Sequence, residues 1–285
     1  MKKYLVTGSN GQLARAFIRR LTERSMDFLA PAESALDITE PGSVGRICRE
    51  YRPDVILNCA AYNLVDRAED EPEVAMRVNA TGPQVLARAA ADHGARLVHF
   101  GSDYVFDGQK QNGLYTEADA TNPLNEYGRS KLRGEELVEE ETEDFLVLRL
   151  SWVYGEGTQN FIHKLLSWAS TKEHLSIVCD EFSVPTYTYT VADVTLNALE
   201  SGLESGFYHL TNSGYCSRFE WARQVLRLSG INKFIRPVSM TSFRLPATRP
   251  GFSAMSNKRI SEALGIDIPN WEDALRSFME TGHGR

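Results

Sequence analysis

The sequence predicts an α/β protein: a doubly wound parallel sheet with a smaller α+β lobe. Three observations carry the prediction. Short apolar runs alternate with helix-patterned segments through the first half, the order that builds strand–crossover–strand units. Two of those runs, VILNCAA and LVHF, are apolar with hardly a break, as strands covered on both faces are. The first run passes straight into a glycine-patterned turn that opens a helix.

In chain order, strands are expected at YLVTG (4–8), DFLAP (27–31), VILNCAA (55–61), RLVHFGS (96–102) and FLVLRLSW (145–152). Between them, GQLARAFIRRLTER, PGSVGRICREY, AMRVNATGPQVLARAAADHG and TNPLNEYGRSKLRGEELVEEE have helical spacing. Gly94 follows the last turn of the third, where a left-handed cap costs glycine least. Further on, NFIHKLLSWASTK (160–172) and SRFEWARQVLRLSG (217–230) read as helices, and HLSIV (174–178) and GFYHLT (206–211) as short strands. A proline-bearing stretch from Pro237 to Pro250 precedes terminal helices around Arg259 and Trp271. These patterns divide the chain into a dinucleotide-binding domain at 1–153, to which 184–212 returns, and a substrate lobe at 154–183 and 213–285. The lobe is expected over the C-terminal ends of the strands, the crevice where open α/β sheets bind ligands.

Composition removes several classes. With 285 residues, 42% apolar and 24% charged, the chain is globular rather than disordered or disulfide-stapled. A net charge of -7 without a basic block argues against a nucleic-acid surface. Cys48, Cys59, Cys179 and Cys216 lie far apart with no C-x-x-C spacing, and the six histidines form no H-x-x-x-H pair. Reduced thiols and no metal site are the expectation. The start, MKKYLVTGSNG, has too short an apolar run for a signal peptide, and no run nears membrane-spanning length. A cytoplasmic protein without a membrane partner is expected.

Gly8, Gly11 and Ala14 form G-x-x-G-x-x-A at the first strand–helix junction. The first glycine permits a tight turn, the second lets backbone approach a pyrophosphate, and the small third residue lets helix and strand close up. The free N–H groups of the helix start then face the anion. Alone the pattern also suits a plain strand–helix turn; its place in an alternating chain makes it a Rossmann signature. After the second strand, LAPAESALDIT offers Glu33, Ser34 and Asp37 but no Arg or Lys. That leans towards NADH, since an acid suits free ribose hydroxyls. Hydroxyls and backbone also bind phosphate, so NADPH stays open.

Tyr127 and Lys131 stand four residues apart, on one face of a helix. A free phenol, with a pKa of about 10, exchanges protons poorly near neutrality; an ammonium beside it is expected to lower that value. Such a tyrosine can protonate an oxygen as hydride reaches the adjacent carbon. Ser102, at the end of RLVHFGS, is placed to hydrogen-bond the same oxygen. A capping serine before Asp103 accounts for it equally well.

In their order, TGSNGQLA, LDIT, RPDVILNCAAYNLVDRAE, NAT, SDYVFDG, PLNEYGRSKLRGE, RLSWVYG, NFIHKLL and RPGFS resemble the extended short-chain dehydrogenase/reductases. Within that family the resemblance is to the dTDP-4-dehydrorhamnose reductases, from residue 1 to about residue 260. It implies reduction of the 4-keto group of a nucleotide-linked 6-deoxyhexose by NADPH or NADH. It implies Tyr127 as proton donor, Lys131 on the nicotinamide ribose, and Ser102, a threonine in most relatives, on the carbonyl. Gly8, Asn10, Gly11, Gln12 and Leu13 would hold the pyrophosphate, Asp37 and Ile38 the adenine, and Cys59, Ala60, Ala61 and Tyr62 the rest of the cofactor. Asp103, Trp152, Asn160 and Arg249 would contact substrate, Arg249 at its diphosphate; Trp152 as a core residue and Arg249 as a surface residue are the plain alternatives.

This sequence departs from the family at Glu181, Ser183 and Ala254, where Gln, Gly and Arg are usual. Some members dimerise through magnesium held by glutamates; Ala16 stands at one such position, which implies no metal and a monomer or weak homodimer. A recycling epimerase or dehydratase, or a non-catalytic cofactor-binding regulatory subunit, are the competing functions. A dehydratase commonly uses an acid pair after the serine, which Asp103-Tyr104 does not supply.

Overall fold

The computed structural model describes residues 2–281; Met1 and the last four positions of the lobe expected to end at 285 lie outside the described residues. Five strands, β1 (Lys3–Thr7), β2 (Asp27–Leu29), β3 (Val55–Asn58), β4 (Arg96–Ser102) and β5 (Phe145–Leu150), join an edge strand at Gly206–His209. All pairs are parallel, in the order edge-β5-β4-β3-β1-β2. The order reverses at β1, which opens a crevice at its C-terminal end.

Alternate residues of each strand feed two separate cores. Tyr4, Val6, Leu57, Val98, Leu146 and Leu148 meet Phe17 and Leu21 of α1 (Gln12–Glu23) on one face. Leu5, Ile56, Leu97 and Val147 meet the opposite helices. These are α2 (Pro41–Tyr51), and, after the short α3 (Arg67–Asp70) and α4 (Pro72–Met76), α5 (Gly82–His93) and α6 (Glu126–Glu141). Apolar residues on both faces of a strand are the reason the runs read as continuous.

The single helix expected over 75–94 is instead α4, one π-helical turn at Arg77–Thr81, and α5. Two close approaches explain the wide turn. A Cβ at Gly134 of α6 would run into the Asn79 carbonyl, and one at Gly82 would lie 2.6 Å from Ile38 Cδ1. The extra residue lets α5 pass α6 and the Asp37–Ile38 loop together, and such turns concentrate near functional sites. The helix Thr188–Glu200, which packs its Val191, Ala192, Leu196 and Leu199 against α1, escapes the sequence pattern. Its buried threonines blur the polar–apolar contrast that marks a helix.

A third large core forms where helices Phe161–Thr171, Arg218–Leu228 and Trp271–Glu280 enclose Tyr154, Trp221 and Phe278. Small ladders stitch the pieces, including Leu175–Val178 with Ile235–Val238; Pro237 is accommodated in this two-stranded edge. No helix among the described residues is long and apolar enough to cross a membrane.

Candidate active site

The glycine turn is built around Gly8, whose φ of +63° is left-handed and whose added Cβ would lie 2.8 Å from both N and Cα of Ala60. Only glycine fits both demands. Gly11 caps α1 without a side-chain hydrogen bond, and no acid occupies the first turn, so the helix start offers bare N–H groups to an anion. The floor below is a buried relay across three neighbouring strands. Thr7 Oγ1 donates to Asn58 Oδ1 (2.7 Å) and accepts from the Ala60 N–H (3.2 Å); Asn58 Nδ2 donates to His99 Nδ1 (3.1 Å). Burial holds the His99 imidazole well below its usual range, with the nearby Lys131 charge acting the same way, so the relay stays neutral.

Two adjoining cavities open above this floor. One, of about 280 Å³, is walled by Gly8, Asn10, Asp37 and Ile38; Asp37 Oδ1 accepts from Thr39 N–H and Oγ1 (2.8 Å each), which fixes that loop. The other, of about 330 Å³, is walled by Gln12, Leu13, Ser102, Asp103, Tyr127, Lys131 and Trp152. Gly11, Cys59, Ala60 and Ala61 line both. The trough has the bare helix start, small walls and length that a dinucleotide needs.

Helix α6 aims Tyr127 and Lys131 into this trough. Its cap is Asn125, whose Oδ1 accepts from Gly128 N–H (2.7 Å) while Nδ2 donates to the Thr248 carbonyl (2.7 Å). Gly128 lies on the Tyr104 carbonyl with no room for a side chain. The Tyr127 hydroxyl donates to Asn63 Oδ1 at 3.4 Å, and its ring meets Tyr104 edge-on, centroids 5.7 Å apart. Lys131 Nζ donates to the Phe100 carbonyl at 2.6 Å. Ser102 accepts from Tyr104 N–H (3.2 Å) as cap of a short 3-10 turn, so it is at once a capping serine and a wall of the cavity.

The electrostatics differ from the sequence expectation. Burial pushes the Tyr127 phenol up to about 12, partly offset by Ser102, and pushes the Lys131 ammonium down to about 8, opposed by Glu135. Desolvation is the largest cause of both shifts, and the ammonium is bound to a backbone carbonyl rather than to the phenol. Asp103 is buried too. Its Oδ2 accepts from Ser183 Oγ (2.8 Å) and Ser253 Oγ (2.6 Å), and burial lifts its carboxyl to about 6 against those donors. Ser183 is one of the departures from the family pattern, and here it helps hold the carboxylate. Glu181, another, pairs with Arg218 at 3.0 Å, and that guanidinium lies 3.7 Å from the centroid of the Trp152 ring. Trp152 itself has a φ of +38°, a left-handed backbone that tryptophan adopts only when packing dictates it. Here Trp221 also stacks against it, centroids 5.6 Å apart.

Three expected site residues stand elsewhere. Tyr62 is absent from both cavity walls; its hydroxyl donates to Glu71 (3.0 Å) and its backbone is clamped by Asn79. Asn160 caps a helix and binds the Gly155 and Gly157 carbonyls (2.9 and 3.1 Å), and its neighbour Gln159 takes the cavity wall. Arg249 lines a separate cavity of about 720 Å³ and is committed to Asp66 at 3.0 and 2.8 Å. Asn63 and Gln159, which line both cavities, escaped the sequence reading as site residues; neither carries a signal, because a loop amide looks like any other. Among the described residues, no three His, Cys, Asp or Glu side chains converge as a metal would require.

Comparison with known proteins identifies the family. The family model described as RmlD substrate binding domain matches residues 1–283. The chain is 38% identical over 283 residues to the dTDP-4-dehydrorhamnose reductase of Mycobacterium tuberculosis, covering 98% of this chain and 92% of that one. It is 36% identical over 280 residues to the spore coat polysaccharide biosynthesis protein SpsK of Bacillus subtilis, covering 98% of each. The crystal structure of dTDP-4-dehydrorhamnose reductase from Bacillus anthracis in complex with NADP superimposes with a TM-score of 0.94 at 33% identity, over 98% of this chain and 99% of that one. The Thermus thermophilus UDP-glucose 4-epimerase, at 19% identity and a TM-score of 0.82, shares the fold. With a family model spanning nearly its whole length, this chain belongs to the RmlD substrate binding domain family of extended short-chain dehydrogenase/reductases.

Proposed function

We propose that this protein uses NADPH or NADH to reduce the 4-keto group of a nucleotide-linked 6-deoxyhexose, converting dTDP-4-dehydro-L-rhamnose to dTDP-L-rhamnose. The observation that carries the reading is that Tyr127, Lys131 and Ser102 wall one cavity, contiguous with the glycine turn at Gly8 and Gly11. Gly8, Asn10, Gly11, Gln12 and Leu13 hold the pyrophosphate, Asp37 and Ile38 flank the adenine, and Cys59, Ala60 and Ala61 form the far wall. Bound there, a reduced nicotinamide supplies the hydride that a ketone carbon accepts.

The chain's own work is to bind, orient and move a proton. Ser102 Oγ hydrogen-bonds the ketone oxygen and stabilises charge as it develops there. Tyr127 gives that oxygen its phenolic proton. A phenol held near 12 stays protonated at neutral pH and yields only to a stronger base such as an alkoxide, so it does not leak its proton beforehand. Lys131 stabilises the phenolate left behind. Asp103 accepts from sugar hydroxyls, and Trp152, braced by Arg218 and Trp221, lies along the sugar. Arg249 reaches a diphosphate only by giving up Asp66. Oxidation of NADPH and of NADH with dTDP-4-dehydro-L-rhamnose, followed by product identification, tests the proposal; no cofactor consumption with that sugar would overturn it.

A further inference from the structure

Behind the cavity lies a buried ion pair that the reaction as described does not use. Tyr127, Lys131 and Glu135 fall at successive four-residue steps on one face of α6, 9%, 2% and 0% exposed. Arg149 of β5 grips one carboxylate oxygen of Glu135 through Nε (3.0 Å) and Nη2 (2.8 Å). The guanidinium is itself enclosed by Phe106 and Phe207, 5.3 and 5.6 Å from the ring centroids. The carboxylate lies against Gly101, where a Cβ would collide with Oε1, and the backbone N–H of Ser102 faces it. Lys131 Nζ is bound to the carbonyl of Phe100, the residue before Gly101. The ammonium and the carboxylate therefore flank the same stretch of β4.

We propose that Glu135, resting on the reductase reading above, is a positioning residue: clamped by Arg149, its carboxylate keeps Lys131 charged at the wall of the cavity that it shares with Tyr127. A buried ion pair is weak as a stability device, since hydrophobic replacement is often neutral or better. Burial raises the Glu135 carboxyl, and the charges that oppose this and favour the carboxylate are Arg149 and Lys131. The other titratable groups around Lys131 do not supply this charge. His99 on β4 and His209 on the edge strand are held neutral by burial, His209 at about 3. Asp103 is tied to two serines; its charge and that of Glu135 both raise the Tyr127 phenol, but only Glu135 acts on Lys131. Arg149 repels an ammonium. Glu135 is the acid whose field favours the charged lysine, against the burial that disfavours it.

The test reads Lys131 directly in protein without added dinucleotide, by NMR titration of 13Cε-labelled lysines, with the Lys131 signal assigned through Lys131→Arg. Glu135→Gln removes the negative neighbour and leaves Arg149 uncompensated, so Lys131 should titrate at lower pH, with about tenfold less ammonium at a given alkaline pH. Because that variant buries a lone guanidinium, Glu135→Gln/Arg149→Met is made alongside; it should titrate between wild type and the single variant. Glu135→Asp, which retains the charge, should stay near wild type. The alkaline limb of kcat should move with the NMR value in each. If Lys131 titrates as in wild type in both proteins that carry Glu135→Gln, Glu135 only fills the core and the proposal fails. If the wild-type protein oxidises neither cofactor with the keto sugar, the reductase reading fails, and the lysine titration still decides the role of Glu135.

Discussion

Replacing Gly8 by alanine asks how tightly the phosphate turn is bound to the rest of the trough. The added methyl meets two separate penalties. A φ of +63° costs an L-residue about 1–2 kcal/mol. The Cβ, 2.8 Å from the Ala60 backbone, must also displace that segment, an overpacking cost of about 1–3 kcal/mol. Together these come to about 2–5 kcal/mol. An unfolding entropy of about 0.6 kcal/mol/K for a chain of this length turns that into a fall in Tm of about 3–8 °C. Gly94→Ala is the control, because it has the same backbone, φ +66°, with nothing within 4 Å of the Cβ. It should lose only the first part, about 2–3 °C. Differential scanning calorimetry without cofactor gives both numbers. Isothermal titration should then show NADPH affinity weakened at least about tenfold by Gly8→Ala and unchanged by Gly94→Ala, since only the first moves the Ala60 wall. Equal Tm losses, or undiminished cofactor affinity in Gly8→Ala, would refute the claim that Gly8 and Ala60 together shape the site.

Tyr127→Phe should lower kcat by about 10²–10⁴-fold, the usual worth of a positioned acid, while NADPH affinity by titration stays within a few-fold of wild type; near-normal turnover would remove Tyr127 from its role. Asp103 gives a pH prediction. Its carboxyl rises from 3.8 to about 6 on folding, so the folded state holds the proton more tightly and stability falls as pH climbs between those values. The loss is about 3 kcal/mol, and Asp103→Asn, which has no charge to bury, should gain about that much on wild type between pH 4 and pH 7 in urea unfolding. A pH-independent difference would show that the carboxylate is solvated. Glu33 lines the adenine-side cavity, whose wall carries no Arg or Lys; Glu33→Arg should shift the ratio of NADPH to NADH affinity by about tenfold towards NADPH, as a guanidinium pairs with a 2′-phosphate.

What the sequence by itself determined is local and periodic. The parallel sheet was legible because strands covered on both faces must be apolar at every position, and RLVHFGS (96–102) matches β4 from end to end. The phosphate turn was legible because only glycine satisfies a left-handed backbone pressed onto another strand. Tyr127, Lys131 and Ser102 could be singled out because a helix face and a strand end place side chains by spacing alone. Other features depended on what lies across the fold. Asn160 and Gln159 are neighbours, and whichever becomes the helix cap is lost to the cavity. Arg249 met Asp66, a partner 183 residues away, that no local pattern announces. The sign of the shifts at Tyr127 and Lys131 was likewise a tertiary outcome. Spacing says that a phenol and an ammonium share a face, but packing sets how much water each keeps, and here burial dominates both shifts.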